Sequence, residues 1–252
     1  MRLPALLLAA ATLGAAADAP RPYLADVPPP DLLAVLPPPP SPGSPLDQAD
    51  RAIFRETRAL RNTPRWAIAT ADVTDDRFTT FACAMGMKLD TVHAPALSRV
   101  FARLGDGDLI NRVKGHYAKR RPYLDNDQPI CEPKTAHLAA NGDYPSGHTV
   151  SGWSTALILA ELMPARATAI LERGRMTGES RFICGSHSYS AVQAGYMAAT
   201  ALVATLHASP EFRRDMDNAR QELTRLHIGA PPPADRCALE VQAERQSDPL
   251  VR

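Results

Sequence analysis

Proline is concentrated at the two ends of this chain. From Asp18 to Pro45 it dominates, with runs at Pro28–Pro30 and Pro37–Pro40. A segment without backbone donors and with fixed φ supplies neither a helix interior nor a central strand, so 18–45 is expected to be an extended arm, either packed over a core or free of it. From Leu46 to about Gly229 the texture changes to helix formers with apolar residues three and four apart, and alternating strand patterns are almost absent. The spacing predicts helices over 47–62, 74–86, 95–119, 147–163, 165–180, 188–207 and 209–227. The tail from Pro231 is again proline-containing and polar, and no internal repeat is present. The expected architecture is an all-α bundle over 46–230 between the proline-rich arm and a polar tail, 231–252.

A length of 252 residues with 45% hydrophobic content suits one compact domain with a sizeable core. The formal charge is +1, from 28 basic and 27 acidic residues spread along the chain, so there is no basic footprint of a nucleic-acid binder. The N-terminus reads as a secretory signal peptide over 1–17: a basic start at Arg2, a Leu/Ala-rich apolar run, and small residues before Asp18. Cleavage is expected after about Ala17. No Cys stands at that junction to carry a lipid anchor, and no later segment reaches the ~18 uninterrupted apolar residues of a membrane helix. The expectation is therefore a periplasmic or secreted protein without a membrane anchor. Export makes Cys83, Cys131, Cys184 and Cys237 candidates for disulfides, since no pair has Cys-x-x-Cys spacing. Three connectivities are open, as are free buried thiols.

Three segments carry the chemistry. In "KGHYAKRRP", Lys114 and Arg121 lie seven apart, two helical turns, and so would share a face before Pro122 stops the helix. Alone, such a run is an ordinary solvated helix end. In "GDYPSGHTVSGW", a turn over 141–144 leads into an apolar helix capped by Ser146. The unpaired N–H groups after that cap form an anion site, Gly147 allows close approach, and His148 stands in the first turn. In "SRFICGSHSYSA", Arg181 offers a planar fork suited to phosphate oxygens, and His187 follows in a Gly/Ser turn before another helix. An anion binder flanked by two histidines is what phosphoryl transfer needs: cations neutralise the equatorial oxygens, one imidazole attacks phosphorus and the other protonates the leaving oxygen.

The ordered pattern Lys-x6-Arg-Pro (Lys114, Arg121, Pro122), Pro-Ser-Gly-His (145–148) and Ser-Arg-x5-His (Ser180, Arg181, His187) resembles the signature of the type 2 phosphatidic acid phosphatase superfamily. The lead "LPPPPSPGS" and the segment "RALRNTPRW" resemble the bacterial class A nonspecific acid phosphatases within it. The likeness runs from about residue 30 to about 228. It implies the helical bundle that these phosphatases share with the vanadium haloperoxidases. It further implies His187 as nucleophile forming a phosphohistidine, His148 as general acid, and Lys114, Arg121, Ser146, Gly147 and Arg181 as the phosphate cradle. No metal and no cofactor are implied. The implied partners are phosphomonoesters and inorganic phosphate, with phosphoryl transfer to alcohols beside hydrolysis; the resemblance leaves homo-oligomers open. An acid optimum follows because His148 must carry a proton, and an ordinary imidazole does so only below about pH 6.5.

One position departs. The third motif of the family continues His-x-x-x-Asp, and here Ala191 stands in place of that Asp. A methyl group accepts no hydrogen bond from Nδ1 of His187. Losing the orienting acid of a serine-protease triad costs roughly 10⁴-fold, so an impairment on the order of 10² to 10⁴ is expected. Ser188, Ser190 or a water could substitute in part. Ala191 is either an introduced substitution, which the intact remainder of the signature favours, or the natural residue of a weakened relative. Two alternatives to a phosphatase stand beside it: a phosphate-ester binding protein without catalysis, and a vanadate-dependent haloperoxidase. A membrane lipid phosphatase is disfavoured by the lack of spanning segments.

Overall fold

The computed structural model describes residues 20–74, 76–226 and 230–246. The expected signal peptide, 1–17, lies outside the described residues. Those described form α-helices joined by short connections, with no strand and an isolated antiparallel bridge between Lys88 and Ala230.

The helices begin where the local chemistry directs. α1 (Leu32–Val35) is a single turn in the arm, and α2 (Pro45–Glu56) starts with proline at N1 behind a Ser44 cap that accepts from the Asp47 amide. α3 (Pro64–Ala71) repeats that device with Thr63 and Pro64. The pattern of expected helices has a gap over 63–73, so α3 is a correction: Thr-Pro is a start signal even before a run of only eight residues. α4 (Arg77–Met85) is capped by Asp76. The expected helix over 95–119 is two, α5 (Pro95–Ala102) and α6 (Gly107–Tyr117). The break falls at Gly105, whose φ is 67°. A Cβ there would lie 2.4 Å from that of Pro22, so the arm crosses at the place where the chain has no side chain.

α7 (Ala136–Ala140) is short; α8 (Gly147–Leu162), α9 (Ala167–Cys184) and α10 (Tyr189–Leu206) form the centre. α8 buries residues on every side, which is why its apolar positions show no single stripe. It packs chiefly on α9 and α10. The approach to α10 is close: a Cβ at Gly195 would stand 2.7 Å from the Thr149 Cβ and 3.0 Å from the Ser146 carbonyl. α11 (Pro210–Arg225) covers α5. α12 (Ala234–Glu244) lies on α3 within the tail that composition marks only as polar. Its helical form follows from burial of Glu240 and Ala243, a tertiary effect that overrides a weak local pattern.

The arm is packed over the core. Tyr23 is buried, its hydroxyl donates to Asp215 at 2.7 Å, and its ring meets Phe212 edge-on at 5.3 Å. Leu32 and Leu36 join the main apolar cluster, and the Pro37 carbonyl accepts from the Tyr144 hydroxyl at 2.5 Å. The arm thus reaches the loop that begins α8.

All four cysteines are paired, Cys83 with Cys237 and Cys131 with Cys184. The first ties α12 to α4. The second ties the segment before α7 to the end of α9. Replacing Cys131 and Cys184 by serine opens a link across 53 residues, and the loop-closure cost predicts a loss of about 3–4 kcal/mol in denaturant unfolding. The expected readout is a lower urea midpoint with a steeper slope, since the opened chain exposes more surface on unfolding; an unaltered midpoint would show that the link adds nothing.

Candidate functional site

α6, α8 and α9, with the turns that follow α6 and α9, surround a cleft of about 460 Å³. Lys114, Arg121, Gly147, His148, Arg181 and His187 all line it. Six of the seven expected site residues, far apart in sequence, therefore meet in one place. The seventh, Ser146, lies behind Gly147: fully buried, it caps α8 by accepting from the Thr149 amide, and its own amide donates to the Ala191 carbonyl at 2.9 Å. Gly147 leaves room, since an added Cβ would touch nothing closer than Ile110 at 4.0 Å. The space above the start of α8 is thus open toward the cleft.

The three cations are held by main-chain oxygen. Lys114 Nζ donates to the Gly142 carbonyl and the Asn141 side chain, both at 2.8 Å. Burial, and then the neighbouring Arg121, bring its pKa down to about 7. Arg121 does not share a helical face with Lys114. α6 ends at Tyr117 and Ala118 turns left-handed (φ 46°), so Arg121 arrives on extended backbone. Its Nε donates to the Asn141 carbonyl at 2.7 Å and its Nη1 to Ser186 at 2.8 Å. Arg181 donates to the Asp72 carbonyl at 3.2 Å and to the Glu132 carboxylate at 2.6 Å.

Ser180, the other member of that motif, points away from the cleft. It accepts from the buried Arg65 at 3.0 Å and donates to Asp72 at 2.7 Å. Asp72 in turn pairs with Arg173 at 2.5 Å. Burial raises the Asp72 carboxyl, but Arg173 and its hydrogen bonds more than offset this and hold it low. The loop after α3 therefore fixes Arg181 through the Asp72 carbonyl and meets His148 Nε2 at the Val73 carbonyl, 3.1 Å away.

His187 is buried between opposite surroundings. Nε2 faces Arg121 Nη1 at 3.1 Å, an N–H donor, so this nitrogen carries the lone pair. Nδ1 faces two oxygens of Asp143, the carbonyl at 2.7 Å and carboxylate Oδ1 at 3.1 Å, so it carries the proton. Burial first, and Arg121 second, hold the imidazole well below its ordinary pKa. Position 191 lacks the Asp of the family pattern, yet a carboxylate does meet His187: that of Asp143, from the loop before α8. Ala191 is fully buried in the main apolar cluster. Ser188 bonds the same Asp143, as donor to Oδ2 at 2.5 Å, and Ser190 bonds Asp50 at 2.6 Å, so neither serine replaces the acid at the ring.

Glu132 and Arg77 also line the cleft. Neither belongs to a spaced motif; the neighbouring Cys131 is the signal for Glu132, and Arg77 stands at the start of an apolar helix. Arg77 donates to Ser151 at 2.8 Å and Thr155 at 3.0 Å on α8. An anion held among Lys114, Arg121 and Arg181 should lose affinity as pH rises through about 7, where the free Lys114 gives up its proton. Sulfate, which does not itself titrate there, should bind about tenfold more weakly for each pH unit above that point by linkage. Calorimetry on Lys114→Met should lose that part of the slope; an identical slope would show that Lys114 is not the titrating group.

The sequence profile of the PAP2 superfamily matches residues 95–215, which carry all three motifs. The chain is 45% identical to an acid phosphatase of Zymomonas mobilis subsp. mobilis, over 84% of this chain and 83% of that protein. It is 38% identical to a non-specific acid phosphatase of Providencia stuartii, over 78% and 82%. It is 33% identical to one of Salmonella typhimurium, over 75% and 78%. Likeness of that depth along most of both chains, together with a helical fold that gathers the three motifs at one cleft, makes this chain a member of the PAP2 superfamily, among the bacterial class A nonspecific acid phosphatases.

Proposed function

We propose that this protein is an exported acid phosphatase that hydrolyses phosphomonoesters through a phosphohistidine at His187. The observation that carries the reading is the state of that imidazole: a lone pair at Nε2 turned to the cations and a proton at Nδ1 held by Asp143. The phosphoryl group enters among Lys114, Arg121 and Arg181 and over the N-terminus of α8, where Gly147 leaves space. His187 Nε2 then forms a bond to phosphorus while the ester P–O bond breaks, and His148 gives its proton to the leaving alkoxide. In the second half, His148 takes a proton from water, the oxygen attacks phosphorus, and the P–N bond breaks to release phosphate and restore Nε2. An alcohol in place of that water gives transfer instead of hydrolysis. The steps call on no metal ion, because side-chain cations neutralise the phosphoryl oxygens.

Acid conditions suit this pair. Low pH supplies the proton of His148, while His187, held well below the ordinary imidazole range by burial, stays neutral and nucleophilic. The relatives' names, acid phosphatase and non-specific acid phosphatase, favour hydrolysis over a purely binding role or a haloperoxidase. The cleft grips the phosphoryl group and leaves the alcohol outside, which supports a broad substrate range.

Hydrolysis of p-nitrophenyl phosphate at pH 5 to 6, with and without a chelator, tests the reading directly. His187→Ala should abolish turnover and the phosphoryl adduct seen by intact mass after brief mixing. His148→Ala should lower kcat by roughly 10² to 10⁴ for alkyl phosphates, and less for p-nitrophenyl phosphate, whose leaving group needs little protonation. Binding of phosphate without turnover in the unaltered chain would favour the binding reading, and bromide oxidation with added vanadate and peroxide would favour the haloperoxidase.

A further inference from the structure

The carboxylate that the third motif lacks is present from another part of the chain. Asp143 lies four residues after Ala139 of α7 and five before His148, in the loop that enters α8. It is fully buried, and every one of its polar atoms is occupied. Its amide donates to the Lys119 carbonyl at 2.8 Å. Its carbonyl and Oδ1 both receive His187 Nδ1, and Oδ1 also accepts from the Ser188 amide at 3.0 Å. Oδ2 accepts from the Ser188 hydroxyl at 2.5 Å and lies 3.5 Å from Lys119 Nζ. Lys119 is itself held by Asp50 at 2.9 Å and by Ser188 and Ser190, each at 3.0 Å. A carboxylate braced from behind in this way cannot swing away from the ring it serves. Resting on the phosphatase reading above, we infer that Asp143 is the positioning residue of His187, in the role that an Asp at 191 fills in the family pattern, so that the Ala191 chain has full catalytic support.

The chemistry assigns the two oxygens of Asp143 different work. The carbonyl, the nearer acceptor, selects the Nδ1–H tautomer and aims Nε2 at phosphorus. The carboxylate adds what a neutral oxygen lacks: a negative charge against the positive charge that the ring gains as the P–N bond forms. Burial by itself pushes the Asp143 carboxyl up, but the bonds from His187 and Ser188 and the charge of Lys119 more than offset this and keep it low, so it remains ionised in acid. With Asp143 in place, Ala191 carries only a methyl group into the apolar cluster, where a second buried acid would face no free donor on Nδ1.

Moving the acid back tests the assignment. Asp143→Ser should lower kcat by about 10² to 10³-fold with KM within about threefold, and Asp143→Asn, the same shape without the charge, should fall between it and the unaltered enzyme. Asp143→Ser combined with Ala191→Asp should recover to within about tenfold of the unaltered enzyme, while Ala191→Asp alone should gain nothing. A kcat for Asp143→Ser and Asp143→Asn within threefold of the unaltered chain would overturn the inference, showing that the carbonyl suffices; so would a folded double variant no faster than Asp143→Ser. Nitrogen-15 spectra of His187 provide a readout that needs no turnover: Nδ1 should be protonated in the unaltered chain and in Asp143→Asn, which keeps the carbonyl, while its resonance should move in Asp143→Asn as the bond to the carboxylate is lost, and an unmoved resonance would overturn the positioning role. Absence of turnover in the unaltered chain alongside that spectral change would instead refute the phosphatase reading and leave the positioning intact.

Discussion

The site depends on one electrostatic constraint: three cations are gathered below the surface around one cleft. Lys114 is 7% exposed, Arg121 3% and Arg181 not at all. Each has lost most of its water, and like charges at this spacing repel. Main-chain carbonyls at Asn141, Gly142, Ser186 and Asp72 replace that water, and Glu132 offsets the charge of Arg181. Those carbonyls belong to loops, so the loops must be rigid. The Cys131–Cys184 link, the turn over 141–144 and the loop after α3 are each anchored to the bundle for that reason. The lowered pKa of Lys114 follows from this burial first and from the neighbouring Arg121 second.

The same field sorts the two histidines. His187 is enclosed, faces Arg121 and stays neutral; His148, on the first turn of α8, is only partly buried and meets the Val73 carbonyl. Two chemically identical side chains thus sit in different surroundings, His187 enclosed between Asp143 and Arg121 and His148 partly open to the cleft. Helix geometry contributes as well, because the N-terminal end of α8 adds positive potential without adding another buried ion.

Much of this was legible in the sequence. The helical texture between the proline-rich ends predicted an all-α bundle, and three spaced motifs marked six residues that line one cleft. Elements defined by long-range contact were less so. α12 owes its helix to burial against α3, α5 and α6 separate where Gly105 passes Pro22, and Arg121 reaches the cleft on extended backbone where residue spacing suggested a helical face. Asp143 was hidden for a different reason. A carboxylate in a Gly-Asp turn reads as local turn chemistry, and only the fold shows that the turn lies beneath His187, 44 residues away. A motif search looks for the acid where the chain usually carries it, and cannot see it arrive from a neighbouring loop.

That displacement bears on how such chains diverge. An acid moved between two positions by single substitutions must pass through a chain that has both or one that has neither. With neither, the imidazole is left to a backbone carbonyl, and catalysis weakens before it can be restored. With both, two buried carboxylates compete for one ring nitrogen and for the charge of Lys119, which costs stability but leaves the ring supported. With Asp143 beside the ring, the methyl at 191 leaves the apolar cluster without a second buried charge.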